Sequence, residues 1–341
     1  MPRSHSMTLR VLSFLLTCVL LCLSACDSTK NPSQDEQADE PQIRYRLATK
    51  EEGQKLKLSN TAYFEGLSQN DLEFRTMQKD AAMEDYLSLA ASQIVDFTPR
   101  DTLLLEKTLS SMEQTLTENG FTLPPLDEIV FIKSKMADEG YATGYTHGTQ
   151  IYLSDSYLMS LHGMKQTNIQ SMAQLLWHEL FHCLTRCNPD FREEMYSIIH
   201  FTVQKEDFPI PPSVASLYLS NPDVEHHNAY ATFEIGGEKI DCFPVLVTSR
   251  AFATSRDLFS TLMTPVLVPI DGRDVSYPLD SATNKTDVFG GNTSYTIDPE
   301  ECLADNFSYA MLFQMKGKGS KPYANPEIIE AILAAVSKGK N

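Results

Sequence analysis

The run His178-Glu179-Leu180-Phe181-His182 carries residue types that hold a divalent metal and activate water. Two histidines four residues apart fall on one face of a helix, so both imidazoles can reach one zinc ion at about 2.0–2.1 Å. Glu179 follows His178 directly and lies beside that face, within reach of water at the metal as a general base. The chemistry this combination serves is metal-assisted hydrolysis. A match to HExxH arises by chance in roughly one chain in a hundred of this composition. Its setting makes accident rarer. Leu175, Leu176, Trp177, Leu180, Phe181 and Leu184 surround the motif and leave the helix no solvated face, so it belongs in the interior. Three such groups buried without partners would cost about 1–3 kcal/mol each, and a bound metal removes much of that cost. The bland alternative is two core histidines satisfied by backbone or carboxylate contacts.

The elements that must position the motif follow from periodicity and punctuation. Asn168 to Arg186 is a helix closed by Asn188-Pro189, and a second helix runs from Asp190 to His200. Upstream, residues 45–120 form a helical N-terminal portion, with segments Ser68 to Val95 and Arg100 to Asn119 showing three- and four-residue apolar spacing. Ile129 to Ile132 and Thr149 to Leu153 are strand candidates, joined by a glycine-bearing connection from Gly140 to Gly148. A short helix begins within Met159 to Met164. Between Phe208 and Pro299 short strand-like pieces appear at Thr232 to Ile235, Cys242 to Val247 and Val266 to Val268. Asp298-Pro299 then opens a helix running to about Met315. The pattern implies an α+β domain over residues 121–341 with a small mixed sheet.

The motif resembles that of the zincin metallopeptidases, which hydrolyse peptide bonds and differ among themselves in the third zinc ligand. A metzincin extension would need Gly at 185 and His at 188, where this chain has Thr185 and Asn188. Gluzincins take a Glu from a later helix, followed four residues on by an Asp supporting a ligating histidine. The segment Asp298-Pro299-Glu300-Glu301-Cys302-Leu303-Ala304-Asp305 resembles that helix. The resemblance implies Glu301 as third metal ligand and Asp305 as its supporting neighbour. It also implies that the strand Thr149 to Leu153, as an edge beside the motif helix, holds substrate by β-addition. Glu300 reads instead as a first-turn acid favoured by the helix dipole, and Tyr309 as packing. Glu193 and Glu194 follow the motif too closely for the gluzincin pattern and read as a solvated face. Glu225, His226 and His227 form a loop-like cluster between the two motif helices. A third ligand from that cluster stays open. His226, or Tyr230, is the candidate to hydrogen-bond the oxyanion, as His or Tyr does in many zincins. The alternative function is a zincin-like scaffold that binds without cleaving.

Composition bounds the partners. The formal net charge is −17 and no long basic run exists, which argues against a nucleic-acid partner. Arg3 and Arg10 precede an apolar run from Val11 to Leu23, too short for an ordinary spanning helix and built like a secretory signal. It ends in Leu23-Ser24-Ala25-Cys26, which resembles a bacterial lipobox. The resemblance implies a signal peptide over residues 1–25, acylation of Cys26 as a bilayer anchor, and a place in the bacterial cell envelope facing the periplasm or exterior. Asp27 resembles an inner-membrane retention signal, and both membranes stay open. Residues 26–44, rich in Ser, Asn, Gln, Asp, Glu and Pro around the anchor, read as a flexible tether. Export would expose Cys183, Cys187, Cys242 and Cys302 to oxidation; buried thiols and one or two bridges are both compatible with their spacing.

Overall fold

A computed structural model describes residues 41–254 and 258–337. The expected leader, Cys26 and the tether up to residue 40 lie outside the described residues. The first sheet has strands Tyr45–Leu47 (β1), Ile94–Val95 (β2), Ile129–Ser134 (β3), Gly144–His147 (β4) and Gln150–Ser154 (β5). β3 is its centre: a β-branched and aromatic run buried on both faces. β1 pairs parallel with the first half of β3, and β2 antiparallel with its last residues. β5 lies parallel on the other flank, and β4 closes that side antiparallel to β5.

Two strands therefore stand where sequence places them, but the edge does not. The edge is β4, inside the stretch read as a connection, and the Thr149 to Leu153 strand is internal. Three glycines within nine residues mask so short a strand. One of them, Gly148 with φ +56°, makes the tight turn from β4 into β5.

Alternation along the strands divides two cores. Ile129, Phe131, Ile151 and Leu153 face the main core, while Val130, Ile132, Tyr145 and Tyr152 face a smaller one with Ala48 and Ile94. The helix carrying the motif spans Gln166–Cys187, and a second, Pro299–Phe313, packs against it in the main core. The Phe307 ring sits 6.1 Å from Trp177 and 5.4 Å from Phe181. Burying side chains of this size stabilises by about 1.5–3 kcal/mol each. The motif helix is not closed all round. Ser171, Gln174, Leu175 and His178, spaced along one helical face, line a cavity.

The expected helical segment Ser68 to Val95 is broken. Helix Gln69–Thr76 ends at Met77 with φ 57°, helix Met83–Gln93 follows, and Ile94-Val95 pairs as β2. Glu73 fixes the break by accepting from Lys79 Nζ at 2.8 Å and from Asp80 N at 2.9 Å. Helix Pro99–Asn119 starts on a Thr98/Asp101 capping box and ends at left-handed Gly120. The segment after residue 200 forms an antiparallel second sheet in chain order: Thr202–Val203 (β6), Ala229–Ile235 (β7), Glu238–Thr248 (β8), Met263–Pro269 (β9) and Tyr277–Pro278 (β10). Helices and small sheets combine in an α+β arrangement. Among the described residues no helix is long and apolar enough to cross a membrane.

Candidate metal centre

The two motif histidines leave their helix toward Glu301, near the start of helix Pro299–Phe313. Asp298 caps that helix, its carboxylate accepting from Glu300 N at 2.9 Å, and Pro299 takes the first turn, where no N–H is needed. Glu301 Oε2 then lies 3.0 Å from His178 Nε2 and 3.7 Å from His182 Nε2. The three donor atoms fall within 4.8 Å of one another. Tetrahedral ligation at about 2.1 Å sets neighbouring ligand atoms about 3.4 Å apart, so these residues fit one zinc ion. His182 Nε2 is fully buried with no hydrogen-bond partner, a cost of about 1–3 kcal/mol that a metal at this point would remove.

Each imidazole is held from behind. His178 Nδ1 donates to Asp305 Oδ1 at 3.1 Å, and His182 Nδ1 to Glu300 Oε1 at 3.0 Å. Carboxylates in these places set the tautomer that leaves Nε2 for a metal. Glu300 is thus more than a first-turn acid. It also accepts from Thr185 Oγ1 and Tyr196 OH, both at 2.6 Å. Asp305 in turn accepts from Thr293 Oγ1 at 2.5 Å, and Tyr309 OH approaches its Oδ2 at 3.4 Å, so Tyr309 touches the supporting carboxylate as well as packing. Glu301 Oε1 accepts from Asn221 Nδ2 at 2.6 Å and Tyr295 OH at 3.2 Å, which turns Oε2 toward the histidines. Burial opposes the Glu301 charge, but the His178 hydrogen bond and the nearby imidazoles hold its carboxyl at about 2.

Glu179 lies beside this group against β4. Thr146 Oγ1 donates to its Oε2 at 2.7 Å. A Cβ at Gly144 would stand 2.6 Å from Glu179 Oε1, so glycine is what lets the carboxylate lie on the strand. Burial raises the Glu179 carboxyl above its ordinary value against the pull of His178 and His182, a direction that suits a base. A second set, Glu179, His182 and Asp223, also lies within 4.8 Å. The first set is the better metal site. Both of its histidines are braced through Nδ1, whereas Glu179 and Asp223 are already engaged by Thr146.

A cavity of about 520 Å³ opens over the group, lined on one side by Gly140 and Ala142 to Tyr145 and on the other by Leu219 to Asp223 and Tyr295. Sequence reasoning missed Tyr295, Asn221, Asp223 and Thr146. His226 is not in this cavity. Its ring lies at the surface, with Nδ1 3.2 Å from Asp207. His227 bonds Tyr218 OH at 3.0 Å, Glu225 pairs with Arg186, and Tyr230 packs on Phe208, so none of that cluster reaches the centre. Cys183, Cys187, Cys242 and Cys302 are free thiols.

Both cavity walls hang on one buried charged cluster. Arg75 pairs with Asp71 and Glu139 and donates to Ser220 O at 2.6 Å, while Asp71 Oδ1 accepts from Ser220 N at 2.8 Å. Lys57 meets Asp138 at 3.1 Å and Tyr145 OH at 3.0 Å. Residues upstream of 120 thereby fix the turn before β4 and the segment leading to Asp223. Comparison of the chain with protein-family models, with curated proteins and with solved structures gives no match.

Proposed function

We propose that the chain is a zinc-dependent metallopeptidase of the zincin type, with His178, His182 and Glu301 as ligands. The observation that carries this reading is the convergence of those three donor atoms, one of them a buried and otherwise unpartnered nitrogen, beside Glu179. Zinc there would polarise the scissile carbonyl and lower the pKa of a water toward about 7. Glu179 takes a proton from the attacking water, whose oxygen bonds to the carbonyl carbon. As the C–N bond breaks, Glu179 returns the proton to the departing nitrogen. Tyr295, which lines the cavity where His226 does not, is the candidate to donate to the oxyanion, its hydroxyl turning from Glu301 Oε1 to do so. The lipobox-like segment ending at Cys26 supports an envelope protein held to the bilayer by that residue.

The test is metal content and turnover together. About one zinc per chain, lost in a His178→Ala, His182→Ala double variant, with peptide hydrolysis abolished in a zinc-retaining Glu179→Gln variant, is the expected result. Full activity in Glu179→Gln overturns the mechanism. Zinc-loaded wild type inactive on every peptide favours the binding scaffold instead.

A further inference from the structure

The backbone of β4 decides how a chain can lie in the cavity. Ser154 N donates to Thr143 O at 3.0 Å, and the register pairs Gly144 with Leu153, so residues 143, 145 and 147 exchange bonds with β5. Gly144 and Thr146 therefore turn their backbone groups outward, toward any added strand. At Thr146 that position is already taken: its N–H donates to Asp223 Oδ1 at 2.7 Å. In the turn beyond, Gly148 N donates to Glu225 Oε1 at 3.3 Å. One acidic segment seals the edge from Thr146 onward and leaves Gly144 open.

The cavity agrees with this division, since Gly140 to Tyr145 line it apart from Tyr141, while Thr146 and His147 do not. A peptide added antiparallel, the slightly stronger pairing, runs its C-terminal part toward residue 140 and its N-terminal end toward Asp223. Charge selects the same direction. Asp223, Glu179 and Glu301 surround that blocked end. Glu301 answers to the proposed zinc, and Asp223 and Glu179 remain as acceptors that can take the N–H donors of a terminal ammonium but offer none to a terminal carboxylate. Arg186 does not line this cavity and pairs with Glu225 Oε1 at 3.0 Å, while Arg75, which does line it, is held by Asp71, Glu139 and Ser220 O.

We infer that the substrates are peptides with a free α-amino group, that Asp223 receives that ammonium, and that the bond cut is the first one. The inference rests on the metallopeptidase reading for its cleavage step, whereas recognition of the amine is independent of turnover. Water adds across the first peptide bond, releasing the N-terminal residue as a free amino acid and leaving a peptide with a new amino terminus.

The experiment pairs binding with cleavage. The zinc-loaded full-length Glu179→Gln chain is titrated with a short peptide, its N-acetylated form and its C-terminally amidated form. The same peptides are digested with wild type and the products weighed. A charge-assisted hydrogen bond supplies roughly 10- to 100-fold preference for the free amine, and amidation should change little. Asp223→Asn, which keeps an acceptor for Thr146 N, should reduce the preference to about threefold or less. Acetylated and free peptides bound equally by the Glu179→Gln chain, or no peptide bound at all, overturn the inference whatever the Asn variant does. Internal cleavage of the acetylated peptide overturns it while sparing the metallopeptidase reading. Preference for the free amine without any hydrolysis does the reverse.

Discussion

Replacing Glu300 by Gln asks whether His182 is braced as a ligand or is merely a satisfied core histidine. Glu300 takes three donors: His182 Nδ1 at 3.0 Å, and Thr185 Oγ1 and Tyr196 OH at 2.6 Å. Gln keeps one acceptor oxygen for His182 and Thr185, and its amide N–H can donate to Tyr196, whose hydroxyl can turn to accept. Shape and partners survive; the negative charge does not. Hydrogen bonds to a charged group contribute about 1.5–3 kcal/mol against about 0.5–1.5 for neutral ones, so the imidazole loses on the order of 1–2 kcal/mol of support. The expected zinc affinity is about 10- to 100-fold weaker, the range seen when such outer carboxylates are removed. Ala is the wrong probe. It strands three buried donors at about 1–3 kcal/mol each, a sum near the whole stability of a domain. Competition against a chromophoric chelator gives the zinc constant, and thermal unfolding of the same samples checks the fold. Zinc bound as tightly as in wild type, in a folded Gln variant, would refute the argument that Glu300 supports a ligand.

At Gly144, Ala would place its Cβ 2.6 Å from Glu179 Oε1, so the carboxylate must retreat by nearly 1 Å to reach ordinary contact. Displacement of that size in a catalytic group costs about 100-fold in kcat/KM; zinc content should hold, and unchanged kcat/KM would show that Glu179 is not the base. Away from the site, burial pushes the Asp101 carboxyl up, but Lys133, Thr98 and His162 outweigh it and hold it at about 2 against 3.8. A depressed folded value means that this stabilisation is complete above about pH 4 and is lost as pH falls toward about 2. Denaturant titrations across that window should show Asp101→Asn with a flatter pH dependence than wild type, and identical slopes would sink the assignment.

The centre was legible in proportion to how much of it lay on long periodic segments. The motif announces itself because its spacing matches one helical face and its apolar neighbours announce burial. Glu301 and Asp305 were reachable because Asp298-Pro299 marks a helix start and four residues return to the same face. Thr146, Asn221, Asp223 and Tyr295 carried no such signal. They come from a four-residue edge strand and from irregular chain. Asp223 meets Thr146, and Asn221 meets Glu301, only by packing across more than 70 residues, and Tyr295, six residues before Glu301, lies ahead of the helix with no periodic pattern to mark it. His226 failed for a related reason. Only three positions separate it from Asp223, yet three extended residues cover roughly 10 Å, enough to carry the chain from the centre to the surface. Proximity in sequence to a site residue is a poor guide wherever the chain runs outward.

The same limit explains why the buried charges went unread, and what they are for. Placing Arg75, Lys57, Asp71, Asp138 and Glu139 in the interior is no route to stability, because well-packed apolar residues of equal volume do as well or better. Directional bonds offer something that apolar contact lacks. Arg75 bonds the Ser220 carbonyl in one wall of the cavity and the Asp138 carbonyl just before the other, and Asp71 fixes the Ser220 N–H. Three residues after Ser220, Asp223 meets Thr146 across the gap. The two segments are therefore joined twice, once at the cluster and once where Asp223 meets Thr146, beside the proposed metal centre. Between those ties lies Gly144, where Glu179 rests against the strand with no room for a methyl group. As the proposed base, Glu179 must sit within a fraction of an ångström of its place, which needs walls that do not slide, and the five buried charges hold those walls.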